Sequence, residues 1–90
     1  GQSALMQYLA SSIKYPIVAQ ENGVQGRVII NFVVDDDWSI SHVKVAKSAD
    51  PALDREAMRV VETMPKWIAG KQNGECVRVK YSVPVVFRLK

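Results

Sequence analysis

The chain of 90 residues carries one cysteine, Cys76, and one histidine, His42. A single cysteine excludes an internal disulfide, and cysteine pairs with metal-ligand spacing are absent. A single histidine excludes a histidine-pair zinc site built within one chain. Between Ser41 and Val43 on a strand, His42 reads as solvent-facing. Cys76 has Glu75 and Arg78 for neighbours and no histidine, so a catalytic thiol is not expected. No apolar run approaches the ~20 residues that span a bilayer, and no signal peptide is visible. Internal repeats and low-complexity linkers are missing. Gly70 and Gly74 match neither the dinucleotide fingerprint nor a phosphate loop. These absences point to a non-enzymatic chain that needs no cofactor.

What is present suits one modest domain. Apolar residues make up 48% and charged residues 23%, an ordinary balance for a globular chain. A chain of this length buries about 60–65% of its unfolded surface, enough for one core. The net charge of +3 gives a mildly basic surface and does not demand nucleic acid. The chain begins at Gly1-Gln2-Ser3 without a methionine, so we expect a fragment of a longer protein.

Periodicity then sets the elements. Ser3 is placed to cap a helix. Leu5, Leu9 and Ile13 recur at helical spacing with Met6 on the same side, so residues 4–13 read as a short amphipathic helix. Pro16 stops it, because the residue before proline is pushed out of the α region. Pro16 can itself open a further helical turn that Asn22-Gly23 closes. From Gly26, Val28, Ile30, Phe32 and Val34 alternate with Arg27, Ile29, Asn31 and Val33, and the first set is the core face. Asp35-Asp36-Asp37-Trp38-Ser39 makes a turn. The second strand runs from about Ile40 to Lys47 with Val43 and Val45 inward. Ile40 is out of phase with them, which predicts a bulge near the turn. Asp50-Pro51 starts a helix, with a capping side chain followed by proline at the first helical position. Leu53, Ala57, Val60, Val61 and Met64 form its apolar stripe, and Pro65 ends it. The last strand spans about Val77 to Leu89, with the odd-numbered residues on the core face.

The order is α-β-β-α-β. A right-handed crossover through the second main helix sets the last strand parallel to the second, hence antiparallel to the first and beside it. The expected fold is α+β, a two-layer sandwich: a three-stranded, antiparallel-dominated mixed sheet of order 2-1-3 with two helices on one face.

Asp35-Asp36-Asp37 invites calcium, but the EF-hand pattern needs glycine at its sixth position and glutamate at its twelfth, where this chain has Ile40 and Ala46. A hairpin turn is the better reading. The basic stripe Arg78, Lys80, Arg88, Lys90 invites nucleic acid. RNA-binding sheets stack bases on exposed aromatics, whereas Tyr81 and Phe87 fall on the valine face. A solvated polar face is favoured, and no nucleic-acid partner is expected.

Pro84 interrupts an otherwise regular strand. In an extended strand, one residue's N–H and C=O point to one edge and the next residue's to the other. Proline is tolerated where its missing N–H would face outward, on an edge strand. The odd residues then pair with the first strand, and the even residues Arg78, Lys80, Ser82, Pro84, Val86 and Arg88 line an open edge. Such edges are usually blunted by charge and proline. They also suit docking of an extended peptide by β-augmentation.

The same motifs carry a family resemblance over nearly the whole chain. Tyr15-Pro16 with Ala19, "GRVIINFVVD" from Gly26, "LDREAMRVVETMPKW" from Leu53, "GKQNG" from Gly70 and "VRVKYSVPVVFRL" from Val77 together resemble the C-terminal domain of TonB, the energy transducer of Gram-negative bacteria. The resemblance implies that residues 1–90 are a periplasmic domain anchored in the inner membrane through an upstream segment. It implies capture of the TonB-box peptide of outer-membrane transporters as a strand added to the last strand. It also implies coupling to inner-membrane motor proteins through the missing N-terminal region, and a receptor-contact role for Tyr15 and Pro16. An alternative is a similar domain appended to a membrane sensor or metallopeptidase-type regulator, serving interaction or homodimer formation by strand exchange. Ile29, Val33 and Val86 on the far face of the sheet support that alternative. The chain departs from its relatives at Trp38, where the hairpin usually carries glycine, at Ile68-Ala69 before Gly70, and at Cys76. Trp38 is expected as an exposed aromatic on a turn.

Overall fold

Helix ends follow from local chemistry in the computed structural model, which describes residues 3–66 and 78–89. Helix α1 spans Ser3–Ser12. Pro16, in the extended region at φ −60 and ψ 133, precedes the short helix α2, Ile17–Glu21. Asn22 closes α2, its side-chain amide donating to the Val18 carbonyl at 2.7 Å. Gly23 follows at φ +66, a left-handed backbone that glycine adopts at little cost. Helix α3, Pro51–Glu62, opens with the Asp50 carboxylate accepting the Ala52 N–H at 3.0 Å and proline in the first turn. The cap satisfies one of the amides that a helix start leaves without a partner.

Three strands make the sheet: β1, Gly26–Val34; β2, Ile40–Lys47; and β3, Val79–Phe87. Their order is β2-β1-β3, and both neighbouring pairs are antiparallel. The α+β sandwich of order 2-1-3 is the fold observed. The β1–β3 ladder is regular from Gly26↔Phe87 to Val34↔Val79. The β1–β2 ladder is not. Between Asn31↔Lys44 and Val33↔Ser41, β2 advances three residues while β1 advances two. His42 lies there with φ 53. This bulge explains why Ile40 and the Val43/Val45 pair reach the same face from opposite parities. A second shift, between Ile29↔Lys47 and Ile30↔Val45, makes Ala46 a further extra residue.

The core lies between the sheet and the helices. Val28, Ile30, Phe32 and Val34 from β1 meet Val83, Val85 and Phe87 from β3, with Leu53, Ala57, Val60, Val61 and Met64 above them. Leu5 and Leu9 of α1 and Ala19 of α2 complete it. Phe32 stacks on its cross-strand partner Tyr81, ring centroids 5.6 Å apart. Such aromatic pairs add stability beyond the area they bury. Gly26 leaves room for α3's approach: a Cβ there would stand 2.8 Å from the Ala49 Cβ.

Two side chains sit differently from the sequence expectation. Trp38 is half-buried and packs against the core, so it is not an exposed turn aromatic. Its backbone is left-handed, φ 65, within a tight turn closed by its N–H to the Asp35 carbonyl at 2.8 Å. Met6 is 37% exposed, at the rim of the core and not within it. Trp67, the Gly70–Gly74 loop, Cys76, Val77 and Lys90 lie outside the described residues, as does the capping side chain of Ser3.

Candidate functional site

The outer position of β3 creates the candidate site. β1 covers one side of β3, and among the described residues no strand pairs with the other side. The register places Pro84 opposite Ile29. Pro84 has no N–H, so this pair is one of the non-hydrogen-bonded pairs of an antiparallel ladder. Alternation then makes Ile30↔Val83 and Val28↔Val85 the bonded pairs. It directs the backbone groups of Lys80, Ser82 and Val86 outward, with the Pro84 carbonyl among them.

The even-numbered side chains lie on the sheet face away from the helices. Lys80 and Ser82 are exposed opposite Val33 and Asn31, and Val86 is 49% exposed opposite Arg27. Pro84 is half-buried. Arg78 and Arg88 flank β3, both exposed. Arg78 reaches Asp35 at 3.5 Å across the end of β1. The six residues expected at the edge therefore form one line on one face. That face holds a shallow depression of about 470 Å³ lined by Asn31, Val33, His42, Lys44, Arg78 and Lys80 among others. Asn31 Oδ1 is buried there without a hydrogen-bond partner. Lys44, Arg78, Lys80 and Arg88 make this face rich in basic side chains.

On the helix side, a second groove of about 120 Å³ runs between α1 and β3. Met6, Leu9, Ala10 and Ile13 line one wall, and Pro84, Val85 and Val86 the other. Positions 6, 9, 10 and 13 follow i, i+3, i+4, i+7 spacing and share one helix face. Leu9, Ile13 and Met6 signal that face in the sequence. Ala10 carries no such signal, and its contribution is space.

A carboxylate on α3 holds the groove's outer wall in place. Glu56 accepts the Lys14 N–H at 2.7 Å and both Arg59 Nε and Nη2 at 2.8 and 2.7 Å. Arg59 Nη2 also donates to the Ser12 carbonyl at 3.3 Å. The Arg59 guanidinium, first, and the Lys14 amide lower the Glu56 pKa below its ordinary value of 4.5. Tyr8 adds a bond from its hydroxyl to the Thr63 carbonyl at 3.1 Å.

Tyr15 and Pro16 lie apart from the β3 side chains on the far face. The Tyr15 hydroxyl donates to the Val24 carbonyl, and its ring meets Phe87 edge-on with centroids 5.6 Å apart. Pro16 leads into α2 and its carbonyl accepts the Gln20 N–H at 2.9 Å. Two exposed apolar side chains follow, Ile17 and Val18.

Two of the three aspartates of the first turn, Asp35 and Asp37, serve its geometry. Asp37 Oδ1 accepts the Ser39 N–H and hydroxyl at 3.0 and 2.6 Å, which lowers its pKa. Asp35 accepts the Ser41 hydroxyl at 2.7 Å. Among the described residues no group of three or more His, Cys, Asp or Glu could hold a metal ion. Nor is any described helix long and apolar enough to cross a membrane.

An open-edged β2-β1-β3 sheet under two main helices is an architecture with known relatives. The family model for the Gram-negative bacterial TonB protein C-terminal matches residues 11–89. The chain belongs to this TonB C-terminal family. The TonB protein of Xanthomonas campestris is 39% identical over 77 residues, covering 84% of this chain and 34% of that protein. The TonB protein of Helicobacter pylori is 28% identical over 83 residues, covering 91% of this chain and 28% of that protein. The chain thus spans about a third of the length of these curated relatives. Two solution structures of the Helicobacter pylori TonB C-terminal domain share the fold, each at 24% identity. One has a TM-score of 0.76 and covers 97% of this chain and 78% of that one; the other has 0.75 and covers 100% and 98%.

Proposed function

We propose that this TonB C-terminal domain captures the TonB-box peptide of outer-membrane transporters as a strand added to β3. In this reading it is a non-enzymatic periplasmic module, held to the inner membrane by a segment upstream. It passes energy from inner-membrane motor proteins to the transporter for uptake. The supporting observation is the Ile29↔Pro84 pairing at the outermost strand, which turns the backbone groups of the even-numbered residues toward open solvent.

Magnitudes fit transient capture. Four or five backbone hydrogen bonds at about 1 kcal/mol net each contribute about 4–5 kcal/mol, and ordering the peptide offsets part of that. Micromolar binding needs about −8 kcal/mol. The peptide's side chains must supply the difference. A weak, reversible grip suits a module that engages one receptor after another.

Homodimer formation through the same edge is disfavoured by its chemistry. A symmetric antiparallel β3 pair centred on Pro84 sets the two prolines together and Lys80 against Arg88 of the copy, and like charges facing each other destabilise a strand pair. On the far face Val33 is only 5% exposed and Ile29 is half-buried, which leaves Val86, 49% exposed, as the open apolar side chain of the three.

The test is a titration of isotope-labelled domain with TonB-box peptides. Amide shifts concentrated on residues 78–88 are expected. Shifts that avoid those residues would exclude the edge as the docking site.

A further inference from the structure

We infer that the groove between α1 and β3 selects the docked strand by one side chain, an aliphatic residue facing Val85, while the alternate residues on its other face are acidic. This rests on the docking of a peptide to β3 and adds to it the rule of selection.

A strand added to β3 lies ~4.8 Å away, and its side chains alternate between the two faces of the sheet. Cross-strand neighbours share a face. Val85 points into the core, 2% exposed, so the residue opposite it points toward α1. That position opens onto the groove bounded by Met6, Leu9, Ala10 and Ile13. The groove's volume, about 120 Å³, is close to the ~150 Å³ that holds a benzene ring in a protein interior. It admits one branched aliphatic side chain and is too small for a helix. Ala10 is the smallest residue of its wall, so Ala10 sets the depth.

The other face of the added strand meets different chemistry. Its alternate residues stand beside Lys80, Ser82, Val86 and Arg88, with Arg78 and Lys44 close to the same face. Arg78 is partly matched by Asp35 at 3.5 Å. Acidic residues on the incoming strand complement this surface, and basic ones are repelled. The apolar groove and the basic face lie on opposite sides of one edge, so a strand of alternating acidic and neutral residues with a single aliphatic anchor satisfies both.

The probes are a synthetic peptide of about ten residues, threonine and glutamate with one central leucine, and its leucine-to-alanine counterpart. With the wild-type domain the leucine peptide should bind about 10- to 100-fold more tightly. It should shift amides in both β3 and residues 6–13. Ala10→Leu fills the groove from the helix side on an exposed position, with a good helix former. It should erase the leucine preference. Replacing the peptide's glutamates with lysines should weaken binding to the wild-type domain at low salt.

If β3 amides shift but residues 6–13 do not, or if Ala10→Leu keeps the preference, the groove is not the selector and edge docking stands alone. If neither peptide shifts β3, edge docking and the inference fail together. Concentration-dependent dimerisation without peptide, abolished by Ala10→Leu, would assign the groove to a second copy and overturn the proposal.

Discussion

Ile29 and Pro84 face each other across the β1–β3 ladder, and this one pair decides which side of β3 is free. The ladder loses nothing from the proline only if the pair is non-bonded, so the parity of the whole strand follows from it. Ser82 has the same parity as Pro84 and faces Asn31. Ser82→Pro should therefore keep the fold, with a melting temperature within a few degrees of wild type, and weaken peptide docking about fivefold through one lost backbone bond. Val83, 3% exposed on the core face, should behave in the opposite way. Val83→Asp buries a charge without a partner and should unfold a domain of ordinary stability, about 5–15 kcal/mol. Circular dichroism melts of the two variants check both. A Ser82→Pro variant that fails to fold would reverse the parity.

Gly26 should resist substitution for a spatial reason. A Cβ at this position would lie 2.8 Å from the Ala49 Cβ at the entry to α3, closer than two carbons tolerate. Gly26→Ala must push that segment away and should cost about 1–3 kcal/mol. Urea denaturation with an unchanged m-value would show this as a stability change and not a change of unfolded state.

His42 reports on the bulge in β2. Its φ of 53 is tolerated by histidine, asparagine or glycine and is costly for β-branched residues. His42→Gly should be close to neutral, whereas His42→Val should destabilise by about 1–2 kcal/mol. Equal stabilities would mean that the bulge relaxes.

Acid sensitivity should trace to Glu56. Its pKa is lowered, first by the Arg59 guanidinium and then by the Lys14 N–H. A carboxylate with a lower pKa in the folded state stabilises the fold above its ordinary value and loses that contribution as pH falls through the folded value. The loss begins near 4.5 and continues below it. Glu56→Gln should lower stability at pH 7 and flatten the slope of stability against pH below 4.5. Because Glu56 and Arg59 tie α3 to the backbone at Ser12 and Lys14, the variant should also loosen the end of α1 that borders the groove. Faster amide exchange at residues 9–13 would show it.

The sequence made the sheet and its edge legible because both depend on local rules. Alternation fixed the faces of β1 and β3, and one proline oriented β3. Asp50-Pro51 and Asn22-Gly23 marked helix ends by hydrogen-bond chemistry that acts over a few residues. Ile40's phase betrayed the bulge near the turn, but nothing local predicted the second shift at Ala46. The side chains that depend on distant packing were not legible. Trp38 looked exposed because it sits in a turn, yet it packs against the core across the sheet end. Met6 looked buried because it shares a helix side with Leu5 and Leu9. Its exposure depends on how α1 packs over β3, where Met6 lines the rim of the groove. The role of Ala10 in the groove was invisible for the same reason.

Tyr15 separates the structural and functional readings of the Tyr15-Pro16 motif. Its hydroxyl donates to the Val24 carbonyl, and its ring packs edge-on against Phe87, the last residue of β3. Tyr15→Phe keeps the ring contact and removes one hydrogen bond. It should cost about 1 kcal/mol, which for a chain of this size lowers the melting temperature by about 4–8 °C. Tyr15→Ala also removes the ring from beside Phe87 and should cost about 2–4 kcal/mol. Peptide affinity at the β3 edge should be unchanged in Tyr15→Phe, because the hydroxyl is spent on Val24 and faces no docked strand. An isolated domain that keeps its melting temperature in Tyr15→Phe but loses affinity for a whole receptor would instead make the hydroxyl a contact. The surface it touches would then be reached by way of Ile17 and Val18, the exposed apolar pair at the start of α2.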